Sequence, residues 1–103
     1  VVAFNSKDEG CKIRYAKLAK TAGIANHTDD TQCAVDKLIA FIADLKTKMH
    51  MHSSIIEWGL DRAEFEAGKR QLAENALLDT CTQSTPKMPT VDEVLDILTA
   101  ISK

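Results

Sequence analysis

Met49-His50-Met51-His52 places four consecutive side chains of types that ligate soft or borderline metal ions. Two histidines at i and i+2 share one ion only from an extended segment, because residues two apart do not share a helix face. A structural zinc wants about four ligands and only two are local here. The plainer reading is a helix end and turn, with the imidazoles near the negative end of the helix dipole. Cys81, between Thr80 and Thr82 in a stretch bounded by Pro86, is the other chemically interesting side chain. A thiol becomes a nucleophile when a cation or imidazole stabilises its thiolate. No such neighbour is local, so an inert buried thiol is the expectation. No carboxylate stands four residues before His27, His50 or His52, and no H-E-x-x-H occurs. Gly10, Gly23, Gly59 and Gly68 are isolated, so no phosphate-cradling loop exists. Trp58 and Phe65 are candidates for a partner-binding patch, although aromatics at helical spacing more often belong to a core. Lys12, Arg14, Lys17 and Lys20 spread over several faces of one segment and read as a solvated surface.

These residues are carried by helical patterning. A first helix is expected from about Asp8 to Ala22, stopped by Gly23 where a left-handed residue is needed. The strongest pattern follows. Val35, Leu38, Ile39, Ile42, Leu45 and Met49 recur at steps of three and four, predicting a helix from about Asp30 to Lys48, capped by Thr28, Asp29 or Asp30. Ser53 or Ser54 can cap a short helical turn over Ile55 to Trp58, closed by Gly59. Asp61-Arg62-Ala63-Glu64 is a capping-box variant opening a helix to about Asp79, with Phe65, Gly68, Leu72 and Ala76 as its inner line. Gly68 there suggests either a close helix crossing or a tolerated loss of stability. Pro86 and Pro89 predict an ordered loop or turn between Asp79 and Thr90. Thr90-Val91-Asp92-Glu93 is a second capping box, and Val91, Val94, Leu95, Leu98 and Ile101 face inward from a last helix. Val1 to Phe4 fits a strand or a helix end equally. Nothing later alternates with period two. The fold class is therefore all-α, a bundle of about four helices plus one short helix.

The 103 residues amount to one domain, 45% hydrophobic and 27% charged. No apolar run approaches the roughly 18 residues of a membrane span. The net charge of −2 argues against a nucleic-acid partner. The cysteines, Cys11, Cys33 and Cys81, are odd in number and lack C-x-x-C spacing. No disulfide framework is expected, and a reducing, cytoplasmic setting is. Without an initiator Met, the chain reads as processed or as a piece of a longer one.

From Phe4-Asn5 to Ile101 the sequence resembles the C-terminal helical part of the iron-containing (group III) alcohol dehydrogenases, which share a dehydroquinate synthase-like fold. The resemblance runs through Phe4-Asn5, then Tyr15-Ala16 with Ala19 and Gly23, then Ile39 to Leu45. It continues through Ser54 to Gly59-Leu60 and Glu64-Phe65. Its most telling piece is Ala76-Leu77-Leu78-Asp79-Thr80-Cys81-Thr82-Gln83-Ser84-Thr85-Pro86-Lys87. Thr85 stands where the family usually has Asn, Lys87 where it has Arg, and His50 and His52 where it has Gly and Pro. The short connector after Asn5 looks closer to single-function members than to fused aldehyde–alcohol dehydrogenases.

The resemblance implies residues 1–103 as a C-terminal helical domain, a fragment lacking the dinucleotide-binding domain. In the family an Asp and three His hold Fe²⁺ (or Zn²⁺) upstream of the equivalent of Val1, and the other domain binds NAD(P). It implies no catalytic, cofactor-binding or metal-ligating residue within this chain. Cys81 and Thr82 are implied as lining the substrate side of the cleft, by packing. The implied function is alcohol–aldehyde interconversion by hydride transfer in the parent enzyme, the fragment alone being inactive. Its implied partners are the absent domain and a small alcohol or aldehyde, with no nucleic acid and no membrane. The alternative is a free-standing helical interaction module without activity. That alternative expects a covered apolar surface, whereas a fragment should expose an apolar face and tend to self-associate through it.

Overall fold

The computed structural model describes residues 1–103 and is all-α. Six helices occur in chain order: α1 (Val2–Asn5), α2 (Glu9–Thr21), α3 (Thr31–Lys48), α4 (Arg62–Leu78), α5 (Thr80–Gln83) and α6 (Val91–Ile101). They form two compact units, Val1–His50 and Met51–Lys103.

In the first unit, Asp8 caps α2 by accepting from the Cys11 N–H at 2.9 Å. Asp30, of the three candidates, caps α3 by accepting from the Cys33 N–H at 2.7 Å. Gly23 takes the left-handed conformation its position demanded, at φ +76°. Ala16 and Ala19 of α2, Ala25 of the connector, and Ala34, Val35 and Leu38 of α3 form one buried cluster, flanked by Val2, Tyr15, Ile24 and Ile39. The first segment, left open by its sequence, is a single helical turn. Val2 packs on the cluster, and the buried Asn5 amide donates to the Tyr15 hydroxyl at 3.3 Å.

The apolar line of α3 is buried only in its first half. Phe41, Ile42, Leu45 and Met49 are exposed, because no element of the unit reaches them. Beyond Lys48 the chain leaves α3 through His50 at φ +55°. A side chain pays steric strain there that glycine avoids.

The second unit pairs α4 with α6. Asp61 accepts from the Glu64 N–H at 2.9 Å, and Thr90 and Glu93 form the complete reciprocal box. The unit's two ends are tied. The Ile55 N–H donates to the Ile101 carbonyl at 2.9 Å, and the Arg62 guanidinium donates to the Ser102 carbonyl at 3.2 Å.

Three expectations need correction. Ile55 to Trp58 is one hydrogen-bonded turn and not a helix, closed by Gly59 at φ +117°. The stretch after Asp79 is not loop throughout: Thr80–Gln83 is helical. Both prolines lie beyond this turn, so their missing N–H groups do not disturb it. The inner line of α4 is also displaced. Phe65 and Ala73 are buried, Gly68 and Ala76 half-buried, and Leu72 is 50% exposed. The stripe facing α6 is thus rotated from the one the spacing suggested.

Gly68 has no close crossing to explain it, since a Cβ built there meets nothing within 4 Å. Gly68→Ala should therefore raise stability by about 1 kcal/mol, read as a higher urea midpoint at unchanged m-value. A second prediction concerns the connector before α3, where Asp29 accepts from the Lys37 ammonium at 2.6 Å and from the Asn26 N–H at 2.8 Å. Lys37 holds the Asp29 carboxyl below its usual range, and the Asn26 N–H adds to this. The same contact holds the Lys37 ammonium above its usual range. The Asp29 contribution is complete above the unfolded carboxyl value of about 3.9 and disappears as pH falls through the lower folded value. The Lys37 contribution is complete below about 10.4 and disappears as pH rises through the higher folded value. Asp29→Asn should accordingly lower the thermal midpoint at neutral pH and have no effect at the acid end.

Candidate functional site

The segment from Asp79 to Glu93 carries the two side chains that the family resemblance singled out, and carboxylates anchor both of its ends. Asp79 is at once the last residue after α4 and the cap of α5, accepting from the Cys81 N–H at 2.7 Å. Its carbonyl accepts from Thr82 N–H at 3.1 Å. The Cys81 carbonyl accepts from the Ser84 hydroxyl at 2.8 Å, and the Thr82 carbonyl from the Thr85 N–H at 3.1 Å. The Thr85 hydroxyl donates onward to the Lys87 carbonyl at 2.6 Å. At the far end, Glu93 accepts from the Lys87 ammonium at 3.2 Å and from the Thr90 N–H at 3.0 Å. Each turn is thus held by a polar contact, in a stretch with no fully buried residue.

The Cys81 thiol is exposed, against the expectation of a buried one, and Thr82 is half-buried beside it. The α5 turn explains this. It sets Cys81 at its second position, where the backbone is held by Asp79 while the side chain points away from the α4–α6 packing. Asp79, Lys87 and Glu93 are the residues sequence reasoning missed as a set. The capping box at Thr90 was legible, but the reach of Lys87 to Glu93 depends on how the proline segment turns.

The other candidates fall differently. Burial pushes the Cys11 thiol up, and hydrogen bonding to Asp8 adds to the shift, which makes it a poor nucleophile. Phe65 is core, whereas Trp58 is 73% exposed and so is not the core aromatic its spacing suggested. The His52 imidazole lies 3.9 Å from Glu57, which is itself occupied by the Ser53 hydroxyl and N–H. The Ser53 hydroxyl is the first cause holding the Glu57 carboxyl below its ordinary value. No group of three or more His, Cys, Asp or Glu side chains comes together that could hold a metal ion. The residues of this chain therefore do not fit an iron site by themselves.

The C-terminal model of the Fe-containing alcohol dehydrogenase family matches residues 1–102. The chain belongs to the iron-containing alcohol dehydrogenases. A bifunctional aldehyde-alcohol dehydrogenase of Escherichia coli (strain K12) is 35% identical over 85 residues, covering 82% of this chain and 10% of that protein. An NADPH-dependent butanol dehydrogenase of Clostridium saccharobutylicum is 34% identical over 101 residues, covering 98% of this chain and 25% of that protein. Alcohol dehydrogenase 4 of Schizosaccharomyces pombe is 28% identical over 94 residues, covering 91% of this chain and 20% of that protein. The bifunctional relative and the butanol dehydrogenase match at nearly the same identity, so similarity does not favour either. This C-terminal domain spans a quarter or less of the length of these iron-containing dehydrogenases.

Asp79 both ends α4 and caps α5. Asp79→Ala should cost about 1 kcal/mol, the usual loss of an N-cap. It should also speed amide exchange at Cys81 and Thr82, while Asp79→Asn retains most of both. An unchanged exchange rate in Asp79→Ala would show that the turn holds without its cap.

Proposed function

We propose that this domain is the C-terminal wall of an iron-dependent, NAD(P)-linked dehydrogenase that interconverts alcohols and aldehydes, with α5 on the substrate side of the cleft. The observation that carries the reading is the family match over essentially the whole chain, together with the exposed Cys81 on a turn fixed at both ends. In such an enzyme bound iron polarises the substrate oxygen and the nicotinamide carries the hydride. On this reading the rest of the longer chain supplies the ligands for both groups. The role left to these residues is shape. The Cys81 thiol and Thr82 methyl present a small, weakly polar surface, and the capped backbone keeps that surface in place. Its partners are the dinucleotide-binding domain of the same chain and a small alcohol or aldehyde. No helix is long and apolar enough to cross a membrane. The three free thiols fit a cytoplasmic setting.

In the full-length enzyme, Cys81→Phe should raise KM for longer alcohols by roughly tenfold and change kcat far less, because it removes room and no reacting group. The 103-residue chain alone, supplied with Fe²⁺ and NAD⁺ or NADP⁺, should reduce no nucleotide in an absorbance assay. Turnover by the short chain, or a Cys81→Phe enzyme with unaltered KM across the alcohol series, would refute the assignment.

A further inference from the structure

The apolar residues of α3 follow a strict alternation of three- and four-residue steps: Val35, Leu38, Ile42, Leu45 and Met49. This is the seam by which one helix packs lengthwise on another. Its first half is filled: Val35 and Leu38 are 1% and 6% exposed, within the cluster built with α2. Its second half is not. Ile42, Leu45 and Met49 are 37%, 42% and 55% exposed, and Phe41 beside them is 47% exposed. At about 1.5 Å per residue the open stretch is about two helical turns long. A shallow depression of about 580 Å³ lies elsewhere, between the α2–α3 connector at Ala22, Gly23 and Ile24 and the face of α3 that carries Lys37, Ala40 and Phe41, and no seam residue lines it.

We infer that this open half-seam is the docking site of an amphipathic helix whose apolar stripe is flanked by carboxylates, supplied by the remainder of the longer chain. Three observations select that occupant. The seam is continuous with one already holding a helix, so its spacing fits a helix and not a strand or an irregular loop. Its flanks carry Lys46 and Lys48; Lys48 is paired with the one acid of that stretch, Asp44, at 2.7 Å, which leaves a net positive flank through Lys46. A second copy would bring the same lysine-bearing flanks to the interface, whereas acidic flanks complement them. The relatives are at least four times longer than the matched region, so such a chain has ample sequence to supply the helix. Only this last point rests on the proposed function. The seam and its charge are properties of α3 itself.

The test uses the 103-residue chain and two synthetic peptides of about three heptads, both with Leu at the seam positions. One carries Glu on its flanks and the other Lys. Titration followed by methyl NMR should shift Ile42, Leu45 and Met49 with the Glu peptide. The Lys peptide should bind roughly tenfold more weakly. Leu45→Glu, at a position open enough to leave the fold intact by circular dichroism, should abolish the shifts. The Glu peptide should also suppress any concentration-dependent self-association seen by sedimentation. Three results would overturn the inference: no shift confined to the seam, equal binding of both peptides, or a dimer that the Glu peptide does not dissociate. None of these outcomes depends on dehydrogenase activity, so a failed peptide titration and a failed enzyme assay are distinguishable.

Discussion

Small side chains at the α2–α3 contact are the constraint on which the first unit depends. Ala16, Ala19 and Ala34 are almost wholly buried, and Val35 and Leu38 are the larger buried members of the same cluster. Alanine at a helix crossing lets two backbones approach closely, so that dispersion contacts accumulate despite little apolar area per residue. Any enlargement there forces the helices apart, because interiors close-pack like crystals. The price of this economy is a thin core, which leaves much of the apolar surface of α3 uncovered.

The second unit solves the same problem with polar fastenings. Its α6 is strongly amphipathic yet has no fully buried residue. Phe65 and Ala73 supply its fully buried apolar residues. What fixes its outline is a set of end contacts: Asp61 and Thr90 at helix starts, Asp79 between α4 and α5, Arg62 to the Ser102 carbonyl, and Lys87 to Glu93. Satisfying the free N–H groups of each helix start in this way fixes where the turns fall. Such an outline suits a wall. The Cys81–Thr82 turn is held by its backbone, leaving its side chains free to meet what lies outside the chain.

Exposure is the feature that joins these observations. A dehydrogenase cleft is built from two sides, and a domain that contributes one of them must keep apolar and weakly polar groups uncovered until the other side arrives. On the proposed function, the bare half-seam of α3, the exposed Trp58 and the exposed Cys81 would be such uncovered groups. An independently folded interaction module would cover more of that surface, since large uncovered apolar patches promote aggregation.

The sequence by itself determined the four longer helices, the caps at Asp61 and Thr90, and the family. Periodicity of three and four, Gly23 and Gly59 at left-handed turns, and Asp or Thr ahead of apolar runs are local rules, satisfied by neighbours along the chain. The family motif around Cys81 is equally local. Tertiary structure alone decided which part of each apolar stripe is covered: Leu38 but not Leu45, Ala73 but not Leu72. It also decided that Gly68 stands in open space and that Cys81 faces outward on a helical turn. The physical reason is that periodicity fixes the direction of a side chain relative to its own helix axis. Burial depends on where a second helix begins and ends, and that is settled by packing between residues distant in sequence.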